Sequence, residues 1–92
     1  MIRSFRHKGL KRLFEDDDRS RLPADMAVRI GRMLAALENA SQIEELDLPA
    51  YRLHALKGDL KGLYALTVRA NWRIVFRFVD GDAFDVDFVD YH

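Results

Sequence analysis

Two alternating apolar stretches joined by a short polar loop constrain the fold of this sequence more than any other feature. The first stretch covers residues 72–79, residues 80–82 form the loop, and the second stretch carries Phe84, Val86 and Phe88. A period of two predicts β-strands, and a short loop containing glycine between two such strands predicts an antiparallel hairpin. The chain must therefore bury one face of a β-sheet.

The apolar faces of these two strands also predict their register, because residues opposite each other share a face of the sheet. Matching the faces pairs Phe78 with Phe84 and Phe76 with Val86, across a three-residue loop at 80–82. We expect all four side chains to contribute to the core.

The same register makes two predictions for the other face of the sheet. Arg77 lies opposite Asp85, which predicts an ion pair between strands rather than a catalytic role for Arg77. Farther along, Arg73 lies opposite Val89 and Asn71 lies near Tyr91, so polar groups gather at one end of this face.

The remaining β-structure is predicted from composition. Residues 63–68 form a strand that precedes 72–79, and residues 70–71 are a candidate two-residue hairpin loop, since Asn tolerates the left-handed conformation. Residues 51–56 alternate weakly, and residues 57–59 form a turn.

The first half of the chain is predicted to be mainly helical. A short strand at 2–5 precedes a short helix at 9–14, and a second helix has Pro23 in its first turn. A capping-box pattern at 41–44 opens a helical turn that ends near Leu46. The apolar face of the second helix follows a 3, 4, 3 spacing: Ala27, Ile30, Leu34 and Leu37.

These elements predict one domain, residues 1–92, of the α+β class. Two or three N-terminal helices pack on one face of a twisted antiparallel sheet and leave the other face partly open. The sequence has no cysteine, which excludes disulfides and thiolate metal sites. No apolar run approaches the roughly 18 residues of a membrane span, so we expect a cytoplasmic protein without a membrane partner.

Charge is segregated along a chain whose formal net charge is zero. Residues 78–92 hold five aspartates and no Lys or Arg, whereas residues 48–77 hold six cations against Asp59 alone. This separation favours two interpretations equally. The cations steer a polyanion to one face, or they pair with the aspartates across the sheet.

The side chains best suited to catalysis belong to a histidine in the weak strand and to the last three residues of the sequence. His54 and His92 supply imidazoles that exchange protons near neutral pH, and Asp90 and Tyr91 accompany His92. The less specific alternatives are a half-exposed histidine in a strand for His54 and an aromatic cap of the sheet edge for Tyr91.

Cations and an amide nearby complete a candidate site for RNA cleavage. Arg73 and Lys57 are suited to hold a phosphate on which negative charge develops, and Asn71 can recognise a base edge. Lys61 and Arg69 are further candidates for RNA binding. The three histidines lack the spacing of metal ligands, so no metal site is predicted.

Four ordered blocks of sequence carry a family resemblance. They read IRSFRHKGL at 2–10, LHALKGD at 53–59, TVRANWRI at 67–74 and DYH at 90–92. With these blocks, the chain resembles the HigB-type toxins of bacterial toxin–antitoxin modules, within the RelE-like superfamily, along nearly its whole length. Ala55 departs from the pattern, because family members often have proline there, and this concerns the stiffness of the loop.

The resemblance implies a RelE-like fold and a ribosome-dependent mRNA interferase, which cuts the codon in the ribosomal A site without metal or cofactor. The ribose 2′-hydroxyl attacks the adjacent phosphate and leaves a 2′,3′-cyclic phosphate. The acid–base and orienting set would be His54, Asp90, Tyr91 and His92. Lys57 and Arg73 would stabilise the phosphate, and Asn71 would recognise the codon.

The implied partners are the ribosome with its mRNA and a HigA-type antitoxin with a helix-turn-helix domain, through which the pair would bind operator DNA. Two alternatives remain: a non-catalytic module that binds RNA or the ribosome, and a co-repressor within a DNA-bound toxin–antitoxin complex.

Overall fold

The computed structural model describes residues 1–91, so the predictions for His92 lie outside the described residues. Two helices precede four strands. The helices and strands, in chain order, are α1 (Lys8–Asp16), α2 (Ala27–Asn39), β1 (His54–Ala55), β2 (Leu63–Arg69), β3 (Trp72–Val79) and β4 (Asp82–Asp90). Short 3₁₀ turns cover Ile43–Leu46 and Gly58–Leu60.

The four strands form an antiparallel sheet in the order β1-β2-β3-β4. The strand predicted at residues 2–5 is reduced to two isolated parallel bridges, Ile2 with Ala83 and Phe5 with Val86. This segment lies along β4, and β1 is shorter than the weak alternation at 51–56 suggested.

The core lies between α1, α2 and one face of the sheet, which confirms the α+β prediction. The predicted apolar face of α2 is buried along its length, and Met33 joins it.

The prediction for Pro23 was wrong, because α2 begins at Ala27. The carbonyl of Pro23 instead accepts from the N–H of Met26 at 3.0 Å in a preceding turn. The sheet contributes Leu66, Val68, Ile74, Phe76, Ala83, Val86 and Phe88.

The predicted hairpin between β3 and β4 is present, but its loop is shorter than expected. Asp80 and Gly81 form a two-residue turn with φ of 50° and 82°, the conformation that Asp-Gly favours in hairpins. Arg77 consequently lies opposite Phe84, and the predicted pairing of Phe78 with Phe84 was wrong.

A β-bulge at Asp85 restores the predicted register farther along. The backbone of Asp85 has a φ of 55°, and beyond it Val75 pairs with Asp87 and Arg73 pairs with Val89, as predicted. Because of the bulge, Ala83 rather than Phe84 lies in the core.

The predicted capping box is also displaced by one residue. Glu45, not Glu44, closes it: its Oε2 accepts from the Ser41 hydroxyl at 2.7 Å and from the N–H groups of Ser41 and Gln42 at 3.1 and 2.8 Å.

No helix within residues 1–91 is both long and apolar enough to cross a bilayer.

Candidate active site

The sheet face opposite the helices carries the candidate site. Here β1, β2 and β3 align His54 with Ala65 and Ala65 with Val75, while Thr67 lies opposite Arg73. Alternation places these side chains on one face. The open face predicted from the sequence is therefore the place where residues from several strands meet.

A cavity of about 220 Å³ lies on this face. It brings together three of the predicted catalytic residues, His54, Arg73 and Tyr91, and adds Arg52, which the sequence reasoning had missed. The lining residues are Arg52, His54, Leu56, Ala65, Thr67, Arg73 and Tyr91. We call this the active-site cavity.

Arg73 is fixed by the turn that precedes its own strand. Its Nη1 donates to the carbonyls of Ala70 at 2.5 Å and Trp72 at 3.2 Å. Within residues 1–91 no acidic side chain forms an ion pair with Arg73.

Arg29 of α2 forms hydrogen bonds that hold the segment preceding Arg52 in place. The Arg29 side chain donates to the carbonyls of Val68, Ala50 and Thr67 at 2.7, 2.6 and 3.3 Å. Its guanidinium lies 5.4 Å from the ring centroid of Tyr51. These Arg29 contacts, which we call the Arg29 staple, connect residues 50–51 to the end of β2. Arg52, the next residue, has a backbone φ of 49°.

Tyr91 closes the cavity from the end of β4. Its N–H donates to the carbonyl of Asn71 at 2.7 Å, which confirms the predicted proximity of these two residues. The Tyr91 side chain is 47% exposed, and Asp90 immediately before it pairs with Trp72 across the sheet.

The ion pairs divide the segregated charge into two groups. Arg77 pairs with Asp85 at 3.6 Å, as predicted, and Arg3 pairs with Asp82 at 3.2 Å. By contrast, Arg52 and Arg73 have no acidic partner within the described part of the chain. Ion pairs across the sheet thus account for the cations at one end, and the cations at the other end line the active-site cavity.

The cavity therefore combines a histidine and a phenol, which transfer protons, with two guanidinium groups, which stabilise an anion. In the described chain, no cluster of His, Cys, Asp or Glu side chains has the arrangement of a metal site. Such a set suits the cleavage of a phosphodiester by a nucleophile that belongs to the substrate.

Comparison with known proteins agrees with this chemistry. Residues 3–92 match the HigB-like toxin family, described as the RelE-like toxin of the type II toxin–antitoxin system HigB. The chain belongs to this family. It is 51% identical to Endoribonuclease HigB of Proteus vulgaris, over 92 residues that cover both chains entirely. It is 34% identical to Toxin HigB-1 of Vibrio cholerae serotype O1, over 94 residues that cover this chain fully and 98% of the relative.

Membership of the HigB-like family confirms the RelE-like fold that the resemblance implied, and a type II toxin implies an antitoxin partner. Four predicted RNA-binding or phosphate-binding residues nevertheless do not line the cavity of this HigB-like chain, and Asn71, in the turn between β2 and β3, is one of them. Lys57 and Lys61 flank the 3₁₀ turn Gly58–Leu60 and are exposed. Arg69 pairs with Asp25, near the start of α2.

Two residues important for this HigB-like site were absent from the sequence-based set. Arg52 carried a usable signal, since it is a cation two residues before His54, which was already a candidate. Arg29 carried none. Its position on α2 suggested a solvent-exposed side chain, and only the tertiary structure brings it to three carbonyls.

Proposed function

We propose that this protein is a ribosome-dependent mRNA interferase, an endoribonuclease toxin that cuts mRNA in the ribosomal A site. The observation that carries the proposal is the active-site cavity, which His54 and Tyr91 line together with Arg52 and Arg73, two cations that have no acidic partner within residues 1–91. The endoribonuclease name of a relative that is 51% identical over the whole chain supports it.

In the proposed reaction, a base removes the proton of a ribose 2′-hydroxyl, and the oxygen attacks the adjacent phosphorus. The bond from phosphorus to the 5′-oxygen breaks, and an acid returns a proton to that oxygen. The products are a 2′,3′-cyclic phosphate and a free 5′-hydroxyl. The protein supplies proton transfer, positioning and charge stabilisation.

The roles follow the family resemblance, and the active-site cavity supports them for His54, Arg73 and Tyr91, which line it together. We assign proton transfer and its orientation to His54, Asp90, Tyr91 and His92, and stabilisation of the phosphate to Arg73 and Lys57. Arg52 joins the cations because it lines the same cavity as Arg73. Asn71, Lys61 and Arg69 remain candidates for contacts with the RNA farther from the reacting bond.

The antitoxin is proposed to be of the HigA type, with a helix-turn-helix domain through which the pair binds operator DNA. The proposed site of action is the cytoplasm, where ribosomes and mRNA are found. The family description supports a toxin–antitoxin pair.

Primer-extension mapping on programmed ribosomes tests the activity, with Arg73→Ala as the variant and Arg77→Ala as its matched control. Both arginines lie on the same face of β3, but Arg77 is paired with Asp85 and lies outside the active-site cavity. We expect a cut in the A-site codon that requires the ribosome, is reduced about 10²-fold in Arg73→Ala and persists in Arg77→Ala.

The two alternative functions give different results in the same assay. A folded protein that binds ribosomes without cutting would support a binding module. A protein that neither binds nor cuts, but strengthens operator binding by its antitoxin, would support a co-repressor.

A further inference from the structure

Thr67 lines the active-site cavity, but the proposed reaction gives it no task. It lies in β2 directly opposite Arg73 of β3. On its other side, its N–H donates to the carbonyl of Tyr51 at 2.7 Å, and Tyr51 immediately precedes Arg52. Thr67 therefore lies between the two segments that supply the arginines of the cavity.

The main chain of Thr67 is held through both of its polar groups. Its N–H bonds Tyr51, and its carbonyl accepts from Nη2 of Arg29 at 3.3 Å. The side chain is β-branched, which limits the rotamers that it adopts. The Thr67 hydroxyl is thus a fixed group in the wall of the cavity, as preorganised catalysis requires.

The hydroxyl of Thr67 has no hydrogen-bond partner within residues 1–91. The hydroxyls of Ser4 and Ser41, by contrast, donate to the carboxylates of Asp85 and Glu45 at 3.4 and 2.7 Å. The Thr67 hydroxyl is also not sealed from the cavity, because no side-chain oxygen buried among the described residues lacks a partner. It is therefore available to a substrate.

A hydroxyl between two arginines complements a phosphate. Negative charge grows on the non-bridging oxygens as the 2′-oxygen attacks, and the guanidinium groups stabilise that charge. A hydroxyl adds one directed donor, and because it is neutral it does not repel the guanidinium groups. A hydrogen bond that strengthens as the charge grows raises the rate of cleavage more than it tightens binding.

We propose that Thr67 is a further catalytic residue, whose hydroxyl donates a hydrogen bond to a non-bridging oxygen of the scissile phosphate in the transition state. This proposal rests on the proposed function, because it assumes an RNA phosphate between Arg52 and Arg73. The hydroxyl keeps its proton, so the bonds that form and break are those of the 2′-hydroxyl attack.

The test compares Thr67→Val with Thr67→Ser. Valine keeps the branched shape and suits a strand but lacks the hydroxyl, whereas serine keeps the hydroxyl and lacks the methyl group. Single-turnover cleavage at saturating programmed ribosomes should fall about 10- to 100-fold in Thr67→Val, the effect of losing one hydrogen bond to a charged group. The ribosome concentration that gives half the maximal rate should change little. Thr67→Ser should retain most of the rate.

Sulfur substitution at the cut phosphate separates a contact from a structural effect. The mRNA carries a phosphorothioate at this linkage, as the Rp or the Sp isomer, and sulfur is a weak hydrogen-bond acceptor. The isomer with sulfur opposite Thr67 should slow the unmodified protein and slow Thr67→Val less, because the variant has no hydrogen bond to lose.

Ser20→Ala is the matched control, since it removes the hydroxyl of an exposed serine outside the active-site cavity. It should keep both the rate and the isomer ratio, and thermal unfolding verifies that all variants are folded. The donor role is overturned by equal cleavage in Thr67→Val and the unmodified protein, by equal losses in the valine and serine variants, or by an isomer ratio that valine leaves unchanged.

A second measurement needs no ribosome. The cyclic adduct of adenosine with vanadate imitates the five-coordinate phosphorus of the transition state, and NMR titration gives its affinity for the full chain. We expect about tenfold weaker binding to Thr67→Val. Equal affinity for the two proteins would contradict the donor role.

Failure of the donor role and failure of the proposed function are distinguishable. Adduct binding that depends on the hydroxyl, without any ribosomal cleavage, would retain the donor and remove the ribosome-dependent interferase. Ribosomal cleavage that ignores Thr67→Val would retain the interferase and remove the donor.

Discussion

The backbone N–H of Tyr91 donates to the backbone carbonyl of Asn71 at 2.7 Å. This bond joins the end of β4 to the turn between β2 and β3, so it fixes Tyr91 beside the strand that carries Arg73. Because the bond uses only main-chain atoms of Asn71, it is independent of that residue's amide side chain.

Asn71→Ala should therefore separate structure from recognition. We expect a thermal unfolding midpoint close to that of the unmodified protein, since an exposed side chain is removed and the main-chain bond remains. Cleavage mapped across a set of A-site codons should change in its codon preference. A variant that unfolds early, or that keeps the same codon profile, would contradict the recognition role.

Arg52→Asn should reduce ribosome-dependent cleavage by about 10²-fold, the usual effect of losing one group that stabilises charge in the transition state. Asparagine tolerates the positive φ at this position, so stability should not fall. Single-turnover cleavage and thermal unfolding measure the two effects. Arg77→Asn, at an exposed position outside the active-site cavity, is the control and should cut like the unmodified protein.

Arg29→Met should destabilise the protein by about 2–3 kcal/mol, because three carbonyls lose a charged donor. Denaturant unfolding gives this value, and Arg32→Met is the control, since Arg32 is an exposed residue of the same helix. We also expect slower cleavage, because residues 50–51 precede Arg52. Equal stability of the two variants would show that the staple contributes little.

We expect Glu45 to stabilise the fold by an amount that depends on pH. Hydrogen bonds from the Ser41 hydroxyl and then from the N–H groups of Gln42 and Ser41 lower the pKa of its carboxyl group. A lowered pKa means that the ionised form stabilises the fold above the ordinary carboxyl range. This contribution disappears as the pH falls through the lowered pKa.

The difference in unfolding temperature between the unmodified protein and Glu45→Ala should therefore be largest at neutral pH and shrink in acid. Glu44→Ala removes an exposed acid next in the chain, whose side chain makes no hydrogen bond within the described residues, and should show a smaller difference. A Glu45 effect that is constant with pH would refute the linkage.

Gly81→Ala should destabilise the β3–β4 hairpin more than Gly58→Ala does. Both glycines have positive φ, at 82° and 66°, so both substitutions strain the backbone. At Gly81, the added Cβ also lies 3.0 Å from the Ser41 carbonyl oxygen, whereas nothing lies within 4 Å at Gly58. Thermal unfolding compares the two, and equal losses would mean that the hairpin shifts to relieve the contact.

Local pattern accounts for most of the fold that was predicted correctly. The apolar spacing of α2 and the alternation in β3 depend on residues close in sequence, and both were confirmed. The β3–β4 register was right at Arg73 and wrong at Phe78, because the bulge at Asp85 depends on how two strands and the N-terminal segment fit together.

The candidate site was predictable to a similar extent. His54, Arg73 and Tyr91 were identified by their chemical type, and the structure brings them together. Arg69 was selected for its charge alone, and its pairing with Asp25 is a tertiary contact between β2 and the residues before α2. A side chain's partners across the fold decide whether its charge is available, and those partners have no local pattern.

The assembly of the active-site cavity from successive strands has a consequence for how toxicity arises during synthesis. Its residues begin at Arg52 and end at Tyr91, and in an antiparallel meander each strand is added to the edge of the one before. A nascent or truncated chain without β4 has no complete site and should be harmless. Cells that survive expression of the toxin should therefore carry stop codons and frameshifts along the whole gene. Every such mutation before β4 should inactivate the toxin, wherever it lies.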